Sequence, residues 1–195
     1  MSLTSRARVQ HFFEQSKEAL QRAAETPDLM DAIAECADRI GCSLAQGGKL
    51  LIAGNGGSAA AAQHIAGEFV SRLNFDRSPL PAIALTSDSS VLTAIGNDYG
   101  FQHVFERQIR SLGRQGDVFI AISTSGTSPN ILYALEAARQ VEVMTIGFTG
   151  SRGVAMATLC DLALIVPSDA TQLIQQVHIT AAHVVCELIE AKLFP

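Results

Sequence analysis

Apolar residues fall along this chain in two rhythms. Five short stretches are apolar almost without break: residues 50–53, 82–85, 118–122, 143–148 (interrupted by Thr145) and 162–166. Runs of this length without alternation predict strands covered on both faces, the pattern of a parallel sheet. Elsewhere the apolar positions recur at helical spacing. Residues 5–25 place Val9, Phe12, Phe13, Ala19 and Leu20 among charges. Pro27-Asp28 marks a break and a new N-cap, and residues 29–46 align Leu29, Ile33, Ala37, Ile40 and Leu44 before Gly47-Gly48 ends the helix. Further helices are predicted from the N-cap Ser58, from a polar stretch at 86–90 to about Ile95, and over 104–112, 154–158 and 171–193. Another starts at Pro129, a residue suited to a first helical position, and runs to about Gln140. Residues 96–100 and Thr149-Gly150 read as loops.

Strands alternating with helices predict an α/β fold with helices on both faces of a five-stranded parallel sheet. Two helices, within residues 1–47, precede the first strand and are expected to pack on the domain and on partner subunits. The length of 195 residues suits one domain over 1–195, with no repeat or linker. Ligands of such sheets bind beyond the carboxyl ends of the strands, near a reversal of strand order. The unusual loops here all follow strands, so they are expected on one edge.

Composition works mainly by exclusion. Hydrophobic residues make up 48% and charged residues 17%, enough for a large core and against disorder. A net charge of -5 leaves no basic footprint for nucleic acid. No apolar run approaches the roughly 20 residues that span a bilayer. The charged N-terminus (Arg6, Arg8, Glu14, Lys17, Glu18) does not read as a signal peptide. Cys36, Cys42, Cys160 and Cys186 lack C-x-x-C spacing and are expected to be buried, reduced cysteines of a cytoplasmic protein.

Candidate chemistry begins at Gly54-Asn55-Gly56-Gly57-Ser58, between an apolar run and a helix start. That geometry points backbone N–H groups at an anion, and the glycines admit a ligand close to the backbone. The spacing also fits G-x-G-x-x-A, a dinucleotide pattern. The acidic residue that pattern needs at the second strand's end is missing, because Asp88 lies too far along. Taken alone, the glycines are equally a ligand-free turn. Ser123-Thr124-Ser125-Gly126-Thr127-Ser128 changes the balance, with five hydroxyls in six residues before Pro129. Hydroxyls and amides at a helix start suit a phosphate monoester. No P-loop lysine accompanies them, which excludes a nucleoside triphosphate site.

His64 and Glu68 are four residues apart on the helix after the glycine loop, so they share a face. On the last helix Gln175, Ile179 and His183 recur at four-residue steps, and His178 lies off that stripe. His178 is expected to be a satisfied core or interface histidine. His11, on an N-terminal helix, and His103, near a helix start, carry no chemistry.

The G-N-G-G-S and I-S-T-S-G-T-S loops and the five-strand layout resemble the SIS (sugar isomerase) domain over nearly the whole chain. H-I-A-G-E, G-N-D-Y-G and I-Q-Q-V-H-I-T-A-A-H are similar to the phosphoheptose isomerase family within it. The resemblance implies a three-layer, flavodoxin-like SIS fold. It also implies isomerisation of sedoheptulose 7-phosphate to D-glycero-D-manno-heptose 7-phosphate through an enediol. That reaction would be the first step of ADP-heptose synthesis for lipopolysaccharide core. It makes Glu68 and His183 the acid/base pair, and His64, Glu68, Gln175 and His183 the ligands of one zinc ion per subunit. It assigns the phosphate to Ser123, Thr124, Ser125 and Ser128. It assigns the sugar to Asn55, Gly56, Gly57, Ser58, Glu68, Asn97, Asp98 and Gln175. It implies a cytoplasmic homotetramer with sites at subunit interfaces.

The C-terminal L-I-E-A-K-L-F-P resembles a non-catalytic SIS relative that binds the bacterial replication initiator. That relative lacks acid/base residues at the positions of Glu68 and His183, so it stands as the alternative. SIS enzymes acting on aldohexose or pentose phosphates typically carry extra domains or lack the Gln175/His183 pair. Phosphosugar-sensing regulators normally have a fused DNA-binding domain.

Overall fold

The computed structural model describes residues 4–195; residues 1–3, which the predicted domain and helical pair include, lie outside the described residues. Two helices, α1 (Ser5–Ala24) and α2 (Pro27–Ala45), lead into β1 (Leu50–Gly54), α3 (Gly57–Val70), β2 (Ala82–Ala84) and α4 (Ser89–Tyr99). A 3-10 turn (Phe101–His103) precedes α5 (Glu106–Leu112). Then follow β3 (Val118–Ile122), α6 (Pro129–Gln140), β4 (Met144–Gly150), α7 (Val154–Ala157), β5 (Leu162–Val166) and α8 (Thr171–Leu193). The five strands pair in parallel in the order β2-β1-β3-β4-β5. The expected α/β sheet is therefore present.

Strand alternation builds two cores. Leu50 and Ile52 of β1, with Val118, Ile120 and Ile122 of β3, face the layer made by α2, α3 and α8. Leu51 and Ala53, with Phe119 and Ala121, face the layer that includes α5, α6 and α7. β1 and β3 thus serve both cores, which is why their runs are apolar throughout. The α2 stripe packs as expected, with Leu29, Ile33, Ala37, Ile40 and Leu44 all buried. α1 differs. It buries only Ala19 and Ala23 and rests on α2 and α8, while Phe13 stays 71% exposed and Val9 57%.

Several predicted boundaries shift. Thr26, not Asp28, occupies the N-cap of α2, and Pro27 takes the first turn. Gly56 rather than Ser58 caps α3, with φ 54° and ψ -120°. Such a left-handed backbone favours glycine, and the helix opens before the serine that propensity selects. Of the predicted loop 96–100 only Gly100 lies outside a helix: α4 runs on through Asn97 and Asp98 to Tyr99, started by Asp88, whose carboxylate accepts from Val91 N. Thr149 and Gly150 belong to β4, paired with Ile165 and Val166. Leu85 falls outside β2 and Val143 outside β4, while the segment 104–112 is helical as α5 only from Glu106.

All four cysteines are free, but only Cys36 and Cys186 are buried; Cys160 is partly buried and Cys42 exposed. Burial pushes the Cys36 and Cys160 thiols up to about 12 and Cys186 to about 11. Among the described residues no helix is long and apolar enough to cross a membrane.

Candidate active site

The strand order reverses between β1 and β3, because β1 connects outward to β2 and the chain returns to β3 on its other side. The loops after these two strands therefore meet at the switch point. Between them lies a cleft of about 230 Å³ lined by Asn55, Gly57, Ser58, the Ser123–Ser128 loop and, from α8, Thr171 and Gln175. Larger hollows lie elsewhere, about 570 Å³ beside α4 and α5, about 430 Å³ around Arg39 and Arg139, and about 340 Å³ between α3 and β2. Convergent hydroxyls, rather than size, single out the smaller cleft.

No charged side chain lines the cleft. Three helices of 14, 12 and 23 residues, α3, α6 and α8, begin at it. Their N-terminal amides and aligned peptide dipoles supply the positive potential that an anion needs there. The serine loop is shaped from within. Ser123 Oγ accepts from Gly126 N at 3.1 Å and pairs with Ser128 Oγ at 3.1 Å. Ser125 Oγ lies 3.0 Å from Thr127 Oγ1, and both residues are exposed at the loop tip. Gly126 has φ 69°, and a Cβ there would sit 2.4 Å from Gly153 Cα, so only glycine closes the turn.

The two loops are tied by a reciprocal amide pair. Asn55 Nδ2 donates to Asn130 Oδ1, and Asn130 Nδ2 donates to Asn55 Oδ1, each at 2.9 Å. Asn130, buried on the first turn of α6, was not legible as a site residue, and neither was Thr171. A short polar side chain just past a loop gives no local signal of a partner 75 positions away.

Beside the cleft, α3 and α8 pack against each other. His64 Nε2 lies 3.0 Å from His183 Nε2 and 3.2 Å from Glu68 Oε1. One ligand atom from each of these three residues falls within 4.8 Å of the others. Folding thus joins one helix to the other across 119 positions of sequence. The donor set suits zinc: two imidazoles and a carboxylate, with bonds of about 2.0–2.2 Å, put ligand atoms about 3.3 Å apart in tetrahedral geometry. The observed spacings already approach that edge. Gln175 sits two turns earlier on α8, its amide against Gly57 in the space a Cβ would fill. Asn97 and Asp98 are exposed at the end of α4, hydrogen-bonded to each other at 2.7 Å, and do not line the cleft.

His178 is buried as expected but is not fully satisfied. Its Nε2 meets Thr149 O at 3.3 Å, while Nδ1 has no partner among the described residues. Thr149 Oγ1 in turn donates to Ser123 O at 2.7 Å, so α8 braces the base of the serine loop through β4. Burial lowers the His178 pKa from 6.5 to about 4, against a smaller upward pull from the Thr149 carbonyl. Because the folded-state value lies below the unfolded one, its contribution is complete above pH 6.5 and drains away as pH falls toward 4. The loss should reach about 3 kcal/mol. Urea unfolding at several pH values should show a flatter slope in His178→Asn; an unchanged slope would refute the assignment. His103 pairs with Glu106 at 2.6 Å, remote from this chemistry, and His11 is exposed on α1.

A family model described as the SIS domain matches residues 11–150. A phosphoheptose isomerase from a Bradyrhizobium species is 57% identical over 178 residues, covering 91% of this chain and 90% of the relative. The solved phosphoheptose isomerase of Neisseria gonorrhoeae superposes with a TM-score of 0.90 at 42% identity, covering 96% of this chain and all of that one. That of Francisella tularensis gives 0.92 at 39%, covering 97% and 100%. With a hydroxyl-lined cleft at the switch point and an imidazole–carboxylate cluster beside it, the chain belongs to the phosphoheptose isomerase family of SIS-domain proteins.

Proposed function

We propose that this chain is a sugar-phosphate aldose–ketose isomerase that converts sedoheptulose 7-phosphate to D-glycero-D-manno-heptose 7-phosphate, the first step toward ADP-heptose and lipopolysaccharide core. The observation that carries this reading is the placing of Glu68, His64 and His183 on the same side of the sheet as the hydroxyl-lined cleft. By helix rise, His64 and Glu68 lie seven and eleven positions past the cleft-lining Gly57 on α3, and His183 eight past Gln175 on α8, roughly 10–16 Å along the helices, and helical side chains lean back toward the N-terminus and the cleft. An extended sugar chain with a terminal phosphate bridges that span.

In this reading the phosphate rests on Ser123, Thr124, Ser125 and Ser128 and on the helix starts. Asn55, Gly56, Gly57, Ser58 and Gln175 hold the sugar hydroxyls. Glu68 takes a proton from C1, and His183 gives one to the C2 carbonyl oxygen, leaving a 1,2-enediol. His183 then takes the O1 proton while Glu68 returns its proton to C2, which yields the aldose and restores both side chains. The conversion is redox-neutral and needs no co-reactant. His64, Glu68 and His183, with Gln175 as the fourth donor, would hold zinc, one ion per subunit. Bound there, zinc supplies Lewis-acid polarisation of the carbonyl. A carboxylate has two oxygens, so Glu68 can meet a cation with one and a proton with the other.

We assign the chain to one SIS domain over 1–195, working in the cytoplasm as a homotetramer. The exposed Val9, Phe12 and Phe13 of α1 support association. Asn97 and Asp98 do not line the cleft of their own chain, and a tetramer offers them a neighbour's cleft. Light scattering tests the assembly. The initiator-binding alternative is not favoured, since the relatives are isomerases and the acid/base pair is present.

Incubation with sedoheptulose 7-phosphate should produce aldose at ordinary enzyme rates, on the order of 1–10³ s⁻¹. Absence of aldose from folded, zinc-supplied protein overturns the proposal.

A further inference from the structure

Arg77 and Glu190 form an ion pair whose side chains are 1% and 0% exposed, with Arg77 Nε donating to Glu190 Oε1 at 2.8 Å. Glu190 also accepts from Leu73 N at 2.8 Å and Asn74 N at 3.0 Å. The rest of the guanidinium is spent on the end of α3. Nη2 donates to Glu68 O at 2.8 Å, and Nη1 donates to Phe69 O at 2.9 Å and Ser78 O at 3.1 Å. Glu68 and Phe69 lie in the last turn of α3, where carbonyls lack helical partners. Glu190 lies seven residues, about two turns, beyond His183 on α8. One buried pair therefore grips the backbone of the proposed base and the helix that carries its partner.

A stability role alone does not account for it. Buried ion pairs are often matched or exceeded in stability by apolar residues of the same shape. Burial pushes the Glu190 pKa up, yet the two backbone amides and Arg77 outweigh it and hold the carboxyl below its usual range. What the pair supplies is direction. α3 and α8 share one apolar core, to which α3 gives Ala62, Ile65, Ala66 and Phe69 and α8 gives Val177, Ala181, Ala182 and Val185. Apolar contact is non-directional and fixes the slide of one helix along the other less sharply than charge-assisted hydrogen bonds do. A slip of one residue is a shift of about 1.5 Å, enough to break the 3.0 and 3.2 Å contacts among His64, Glu68 and His183.

We propose that Arg77 and Glu190 are positioning residues that set the axial register of α3 against α8, and with it the geometry of the His64–Glu68–His183 cluster. The proposal rests on the isomerase reading of that cluster. The serine loop is untouched by the pair, so phosphate binding is unaffected by its removal.

The test compares Arg77→Lys and Glu190→Gln with wild type, both judged folded by circular dichroism. A roughly 10- to 100-fold fall in kcat is expected, with KM within about threefold. Zinc affinity, titrated into metal-free protein against a chromophoric chelator, is expected to weaken by roughly 10- to 100-fold, as for other outer partners of a metal site. Wild-type kcat and zinc affinity in a folded variant overturn the proposal. A lowered Tm with unchanged kcat for the folded fraction also overturns it, because that marks a purely structural pair. If neither variant folds, the pair is a folding element and the proposal is wrong. Should wild type itself show no isomerase turnover, the functional reading fails, and the zinc titration still decides the register claim.

Discussion

Glu68→Gln should reduce turnover by roughly 10²–10⁴-fold, the usual contribution of a positioned general base. The substitution is nearly isosteric. It keeps an oxygen that can face His64, where Glu68 Oε1 now lies 3.2 Å from Nε2. The side chain is 21% exposed and the backbone carbonyl is held by Arg77, so the helix has no reason to unravel. Circular dichroism and light scattering should therefore match wild type. Zinc content measured alongside separates loss of the base from loss of a ligand. Wild-type rates in this variant would remove Glu68 as the proton acceptor, and with it the enediol scheme.

Metal removal should have the second large effect. Prolonged chelation followed by buffer exchange is expected to lower turnover by about 10²–10³-fold, the several kcal/mol that carbonyl polarisation contributes. Zinc added back should restore it. The three donors lie close enough to share a proton network when no ion is bound, so the fold should survive the treatment. Undiminished turnover in protein shown to be metal-free would take zinc out of the mechanism and leave His183 as an acid with no Lewis-acid support.

Parts of the site were readable because their signal is local. The serine loop announces itself through five hydroxyls in six residues ahead of a proline, and β3 and α6 do frame it. His64 with Glu68, and Gln175 with His183, declare a shared helix face through spacing alone. Other parts had no local signal. Asn130 looks like an ordinary first-turn residue until Asn55 is placed opposite it. Arg77 stands in a turn-rich passage with nothing to show that Glu190, 113 positions later, will bury it. Gly56 replaced Ser58 as the cap of α3 because the turn out of β1 demands a left-handed residue, which propensity does not see. Asn97 and Asp98 passed from an expected loop into α4 because Asp88 starts a helix long enough to include them.

By itself, the order of residues determined the α/β class, the five strands and the types of chemical group at each strand end, since apolar rhythm and loop composition act over a few neighbours. Only the tertiary structure decided that α3 and α8 lie side by side with two imidazoles and a carboxylate in reach of one cation. That depends on the strand order and on a buried charge pair spanning more than half the chain, and no pattern over a few residues encodes a distance between helices so far apart in sequence.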